Sequence, residues 1–198
     1  MTEKEKMIAG KVYNSQDREL VAALNKSKSL CRQYNNLDFS NVAARKAIID
    51  ELLQEEHNDG YCVFTPPFWC DYGFNVKVGK NFYSNHNLVI LDCAEVTFGD
   101  NVFVGPNCGF YTAIHPIDAK QRNTGIELAK PIKVGSDVWF GGGVTVLPGV
   151  TIGDNVVIGA GSVVVKDIPS GVVAVGNPCK PIRKITEADK LDLDDPNI

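Results

Sequence analysis

From Val134 onward the chain repeats in sixes: Val134, Phe140, Val146, Ile152, Ile158 and Val164 stand six residues apart, and Val138, Val144, Val150 and Val156 hold the fourth place after each of the first four. Glycine follows the leading apolar residue at Gly135, Gly141, Gly153 and Gly159. An α-helix has no period of six, and a free hairpin strand alternates by two with no glycine beat. The period fits a solenoid of flat β faces joined by tight corners. The leading side chain points into a dry interior, and glycine is expected to supply corner conformations closed to other residues.

The same beat runs upstream at Val78, Ile90, Phe98, Val104 and Phe110, with Gly79, Gly99 and Gly105 following. Ser84 fills the place between Val78 and Ile90, and two extra residues shift the phase before Phe98. Six hexads precede residue 111 and six follow residue 133. With three faces per turn this predicts about four coils, and five if "FWCDYGFN" adds one. A sandwich of short strands is the alternative, but it would not enforce a fixed period.

Residues 111–131 break the rhythm. They fit no hexad, carry the polar run "DAKQRNTG" and lie between intact repeats, so they are expected to leave the coil as an extruded loop. Upstream, residues 1–57 have another texture: Ile48, Ile49, Leu52 and Leu53 recur at helical spacing and "NSQDRELVAALNKSKSLCRQYN" has no proline, which predicts two or three helices. Gly60, Pro66 and Pro67 end that region. The expected organisation is a helical segment over 1–57, a hexad solenoid over 58–180 and a tail over 181–198.

The net charge of −4 argues against a nucleic-acid surface. The start "MTEKEKMIAG" has no apolar core like that of a signal peptide, and no apolar run reaches a membrane span. Six cysteines without a C-x-x-C pair fit buried small hydrophobes in a reducing cytoplasm. The three histidines, His57, His86 and His115, lie 29 residues apart and offer no short-range ligand pair, so no metal is expected. No phosphate-binding glycine motif occurs: "GGGVTV" and "GAGSVV" belong to the coil.

His57, in "EEHNDG", reads as a solvated residue, and His86, at a coil corner, as structural or substrate-lining. His115 begins the extruded loop beside Pro116, where a proton-transfer group can be held at the junction. Lys166, Lys180, Arg183 and Lys184 gather near the last coils of an acidic chain. Such a group either solvates a surface or receives the phosphates of an anionic cosubstrate.

These stretches carry a family resemblance. "EKEKMIAGKVY", "CDYGFNVKVGKNFYSN", "YTAIHPID", "RNTGIELAKPI" and "VWFGGGVTVLPGVTIGDNVVIGAGSVVVKDIP" resemble the maltose and galactoside O-acetyltransferases, over roughly residues 3–186. The resemblance implies a mainly β protein built on a left-handed parallel β-helix, a homotrimer with sites at subunit boundaries, acetyl-CoA as donor and a sugar hydroxyl as acceptor. It implies His115 as the catalytic histidine, Asn85 beside the reacting centre, and Asp71 and Asp92 lining the acceptor site. Glu127 is implied as a loop glutamate that orients the histidine or the acceptor. By the "AGKVY" register an N-terminal sugar contact falls at Ser15, with Asp17 near. For the donor it implies Asn85, Trp139, Gly142, Ala160, Gly161, Val165, Lys166, Lys180 and Arg183. Cys93 stands beside Asp92 where some galactoside enzymes carry a second aspartate. Other acceptors on the same fold (an amino sugar, a serine hydroxyl, a foreign compound) and an inactive binding scaffold remain alternatives.

Overall fold

The computed structural model describes residues 1–54 and 62–193, so His57 lies outside the described residues. Parallel strands wind into a triangular prism, three to a turn. The first coil places Cys62–Phe64, Phe68–Cys70 and Val76–Val78 on the first, second and third faces. The second continues with Phe82–Ser84, Leu88–Leu91 and Val96–Phe98, and the third with Phe103–Val104, Gly109–Tyr111 and Ile132–Val134. Val138–Phe140, Thr145–Val146 and Thr151–Ile152 make the fourth. The fifth has Val156–Ile158 and Val163–Val164, with Ile168 bridging to Ile152. Val172–Gly176 starts a sixth turn on the first face, and Cys179–Lys184 folds back antiparallel to it. The coils are thus the five expected if "FWCDYGFN" adds one, since that stretch supplies the second face of the first coil, and the start of a sixth follows them.

The inward positions of the hexads are buried except Val78, which is half-buried, and one aromatic stack runs through the prism. Phe64, Phe82, Phe98, Phe110 and Phe140 follow one another at centroid distances of 5.0, 5.1, 4.9 and 5.2 Å, close to the spacing of neighbouring strands. Ser84, the polar residue in the apolar series, is fully buried and its hydroxyl has no partner among the described residues.

The glycines occupy the expected places for a different reason. Gly79, Gly99, Gly135 and Gly153 are not at positive φ. A Cβ on Gly99 would lie 2.7 Å from Gly135 backbone, and one on Gly135 would lie 2.8 Å from Gly153, so the glycines let successive coils stack. The left-handed corner conformation falls instead to Asn81, Asn87, Asn101, Asn107, Asp137 and Asn155, side chains that tolerate it. These corner residues also bridge turns: Asn81 donates to Asn101 at 2.9 Å, Asn101 to Asp137 at 2.9 Å, and Asn87 to Asn107 at 3.0 Å.

Three helices precede the prism: α1 Glu3–Ile8, α2 Arg18–Asn36 and α3 Val42–Leu53. Leu30, Cys31, Tyr34, Ile49, Leu52 and Leu53 join the same core as the coils and close its open end. Asn35 finishes the exposed strand edge. Its side chain accepts from Phe68 N at 2.8 Å and donates to Phe68 O at 3.0 Å, as another strand would.

The break in the hexads is a folded excursion. Ala113–Ile114 and Ile126–Ala129 pair antiparallel, with a single turn, α4 Ala119–Arg122, between them. Tyr13–Asn14 then adds a third strand on the far side of Ile126–Glu127.

Candidate active site

The excursion leaves the prism at the corner between the second and third faces, and that corner collects the ionisable groups. Asp71 occupies it in the first coil, Asp92 and Cys93 in the second, and the His115 excursion in the third. His115 is 60% exposed at the end of its short strand, and its Nδ1 stands 3.9 Å from Glu127 Oε1, a contact longer than a hydrogen bond. Glu127 is only 16% exposed, and its Oε2 accepts the Tyr13 hydroxyl at 2.7 Å. A carboxylate facing Nδ1 favours the tautomer with its proton there and leaves the Nε2 lone pair outward.

Asp71 is half-buried below this pair, where burial raises its carboxyl, Lys28 opposes the rise and Glu127 adds to it. The Cys93 thiol lies 3.9 Å from Asp71 Oδ2. Burial pushes that thiol up to about 12, against the Tyr13 hydroxyl and with the carboxylates of Asp71, Glu127 and Asp92, so it stays neutral and is no nucleophile.

Asp92 has another task than the one expected of it. It is fully buried: Oδ1 accepts from Asp71 N at 3.0 Å and Tyr72 N at 2.8 Å, and Oδ2 from Asn75 N at 3.3 Å. It braces the corner that carries Asp71 and is out of reach of an acceptor. Burial raises the Asp92 carboxyl from 3.8 to about 6, against the pull of the Tyr72 N–H. With the folded value above the unfolded one, its stabilising contribution is full below about 3.8 and lost as pH rises through about 6. The shift corresponds to about 3 kcal/mol at most. The thermal midpoint of wild type minus that of Asp92→Asn is therefore expected to rise as the buffer is taken from about pH 7.5 to about pH 5. A constant or falling difference refutes this assignment.

The N-terminal residues are tied down locally. The Ser15 hydroxyl donates to Gly125 O at 2.9 Å, and the Asp17 carboxylate caps α2 by accepting from Glu19 N at 3.0 Å.

The positions expected along a coenzyme groove divide between two edges of the prism. Asn85, Gly142, Ala160 and Gly161 stack along the corner between the first and second faces, with Trp139 exposed on the first face beside them. Val165 and Lys166 lie on the opposite edge of the second face, the edge that carries His115. Among the described residues neither Gly142 N–H nor the Lys166 and Lys180 ammonium groups have a partner, while Gly141 N and Gly143 N donate to Ile158 O and Pro106 O. Arg183 differs from expectation: its guanidinium forms a bidentate pair with Asp189, at 2.6 and 2.9 Å, and so is not free for a phosphate. Asn85 accepts from His86 N at 2.7 Å, and the width of the second face separates it from His115, so one chain does not bring the two together.

Comparison with known proteins assigns a class to this hexad prism with its extruded histidine loop and carboxylate-lined corner. Residues 6–56 match the maltose acetyltransferase hexapeptide capping motif, and residues 131–166 match the bacterial transferase hexapeptide with six repeats. A Saccharomyces cerevisiae protein assigned as an acetyltransferase is 50% identical over 190 residues, 93% of this chain and 94% of its own. The crystal structure of a maltose O-acetyltransferase from Clostridium difficile superposes with a TM-score of 0.88 at 48% identity, covering 94% of this chain and 99% of that one. A galactoside acetyltransferase in complex with coenzyme A gives a TM-score of 0.88 at 39% identity, over 96% and 94% of the two chains. The chain belongs to the hexapeptide-repeat acetyltransferases, in the group that carries the maltose acetyltransferase capping motif.

Proposed function

We propose that this acetyltransferase moves the acetyl group of acetyl-CoA to a hydroxyl of a sugar such as maltose, glucose or a galactoside, with His115 as general base, at sites shared between the subunits of a homotrimer. The observation that carries the reading is His115 Nδ1 against Glu127 at the mouth of a corner lined by Asp71. Bound coenzyme in the galactoside acetyltransferase supports the donor, and that protein together with the maltose O-acetyltransferase supports the acceptor class.

In the reaction so read, a sugar hydroxyl attacks the thioester carbonyl and gives its proton to His115 Nε2 as the C–O bond forms. The oxyanion takes a hydrogen bond from Gly142 N–H. Collapse breaks the C–S bond, the imidazolium returns the proton to the departing thiolate, and acetylated sugar and CoA leave. Transfer is direct, since burial keeps the Cys93 thiol beside the site neutral.

The trimer rests on the outer faces. In register along the first face stand Val63, Tyr83, Phe103, Trp139, Val157 and Val173, with Phe103 49% and Trp139 56% exposed. The third face presents Lys77, Thr97, Lys133 and Thr151 instead. An apolar column of that length suits burial against another copy, and a polar one suits water. Setting the Asn85–Gly142–Gly161 edge of one chain against the His115–Lys166 edge of the next would complete the site. The six free thiols support a reducing, cytoplasmic setting.

A panel of sugars assayed with acetyl-CoA by release of free thiol tests the reaction. Turnover with a neutral sugar is expected, and none above hydrolysis with any sugar overturns the reading. Glucosamine belongs in the panel, because the Asp71 and Glu127 carboxylates favour an amino-sugar acceptor as a second reading. Lys166→Ala is expected to raise the KM for acetyl-CoA about tenfold with kcat within about a factor of two, as loss of a charge-assisted phosphate contact made equally in ground and transition states. An unchanged KM moves the coenzyme phosphates elsewhere.

A further inference from the structure

Tyr13 is 1% exposed, at the one place where the N-terminal segment enters the loop sheet directly opposite Glu127. Its hydroxyl donates to Glu127 Oε2 at 2.7 Å, while the other oxygen of that carboxylate faces His115 Nδ1 at 3.9 Å. In the same corner the Cys93 thiol stands 3.9 Å from Asp71 Oδ2. Tyr13, Glu127 and His115 therefore follow one another, with the carboxylate between the phenol and the imidazole. Burial, the adjacent Cys93 thiol and the Glu127 carboxylate all raise the phenol far above its ordinary range, so it is always the donor and never the anion.

The hydroxyl is not needed to hold the segment in place. Backbone pairing of Tyr13–Asn14 with Ile126–Glu127 does that, together with Ser15 N and Oγ on Gly125 O. A buried phenol does need an acceptor, and another buried tyrosine, Tyr34, takes a backbone carbonyl, that of Phe64. Tyr13 instead engages the side chain that faces the histidine. A glutamate has three rotatable bonds, and a fixed donor on one oxygen determines where the other points.

We propose that Tyr13 is a positioning residue for the transfer reaction: its hydroxyl holds the Glu127 carboxylate against His115 Nδ1, so that the N-terminal segment sets the orientation of the base. This rests on the reading of His115 as the base. Tyr13→Phe is expected to lower kcat about tenfold or more, the worth of one hydrogen bond to a charged group, with KM for acetyl-CoA unchanged. In a Glu127→Ala background the same substitution is expected to change kcat by less than about a factor of two, because the two residues act as one unit. A second readout needs no turnover. The side-chain 15N resonances of His115, identified by their loss in His115→Ala, are expected to move in Tyr13→Phe and not to move further when that change is added to Glu127→Ala. Equal losses of kcat in both backgrounds, retention of more than about half of wild-type kcat by Tyr13→Phe, or unmoved His115 resonances would each overturn the proposal. If the wild type acetylates no sugar, the reaction fails while the resonances still decide the positioning.

Discussion

Replacing His115 with alanine is expected to lower kcat against a good sugar acceptor by roughly 10² to 10⁴, with little change in the KM for acetyl-CoA. A sugar hydroxyl is a weak nucleophile at neutral pH, so a base must take its proton as the new bond forms. His115 sits on a braced hairpin, 60% exposed, with a carboxylate at Nδ1 and the other ring nitrogen free. Alanine keeps the hairpin, whose backbone pairing does not use the imidazole, and so removes the base without moving the coil edges read as the donor groove. Steady-state kinetics with both substrates varied makes the measurement. A variant that keeps more than about a tenth of wild-type kcat lies outside the range for a positioned base and would refute the mechanism.

The prism was legible because its core imposes a strict beat: every inward residue from Phe98 to Val164 outside the excursion falls on a hexad. The first coil was harder to see, since Tyr72–Asn75 lengthens its corner and Phe64 and Phe68 precede the glycine rhythm. Glycine spacing was visible but its cause was not. A sequence shows that Cβ is missing without showing whether φ or the neighbouring coil forbids it, and here the neighbouring coil does. The loop histidine stood out by its place in the broken rhythm. The two corner aspartates did not separate, because Asp71 and Asp92 both follow a second-face strand, and only in the fold do backbone N–H groups surround and bury Asp92. The Arg183–Asp189 pair closes within a tail that has no period to read. Tyr13 was hidden for the same reason: its partner Glu127 is 114 residues away, across an antiparallel pairing that no local pattern announces.

Placing a charge in the middle of the apolar outer column should separate the subunits and, with them, the site. Phe103 lies between Tyr83 and Trp139 on the first face, 49% exposed in the single chain, and points away from the prism core. Phe103→Glu therefore leaves the stacked interior intact, but burying its carboxylate unpaired against another copy would cost several kcal/mol. Wild type is expected to sediment at three times the chain mass of 21.6 kDa, and the variant at the mass of one chain with its coil spectrum retained. Because Asn85 and Gly142 lie on one edge of the second face and His115 and Lys166 on the other, the proposed site would be split in a lone chain into two halves facing apart. Its activity should drop by roughly 10² or more, the loss that follows when reacting groups are no longer held together. A fully active monomer would show that one chain completes the site, and the division of these residues between two edges would then need another explanation.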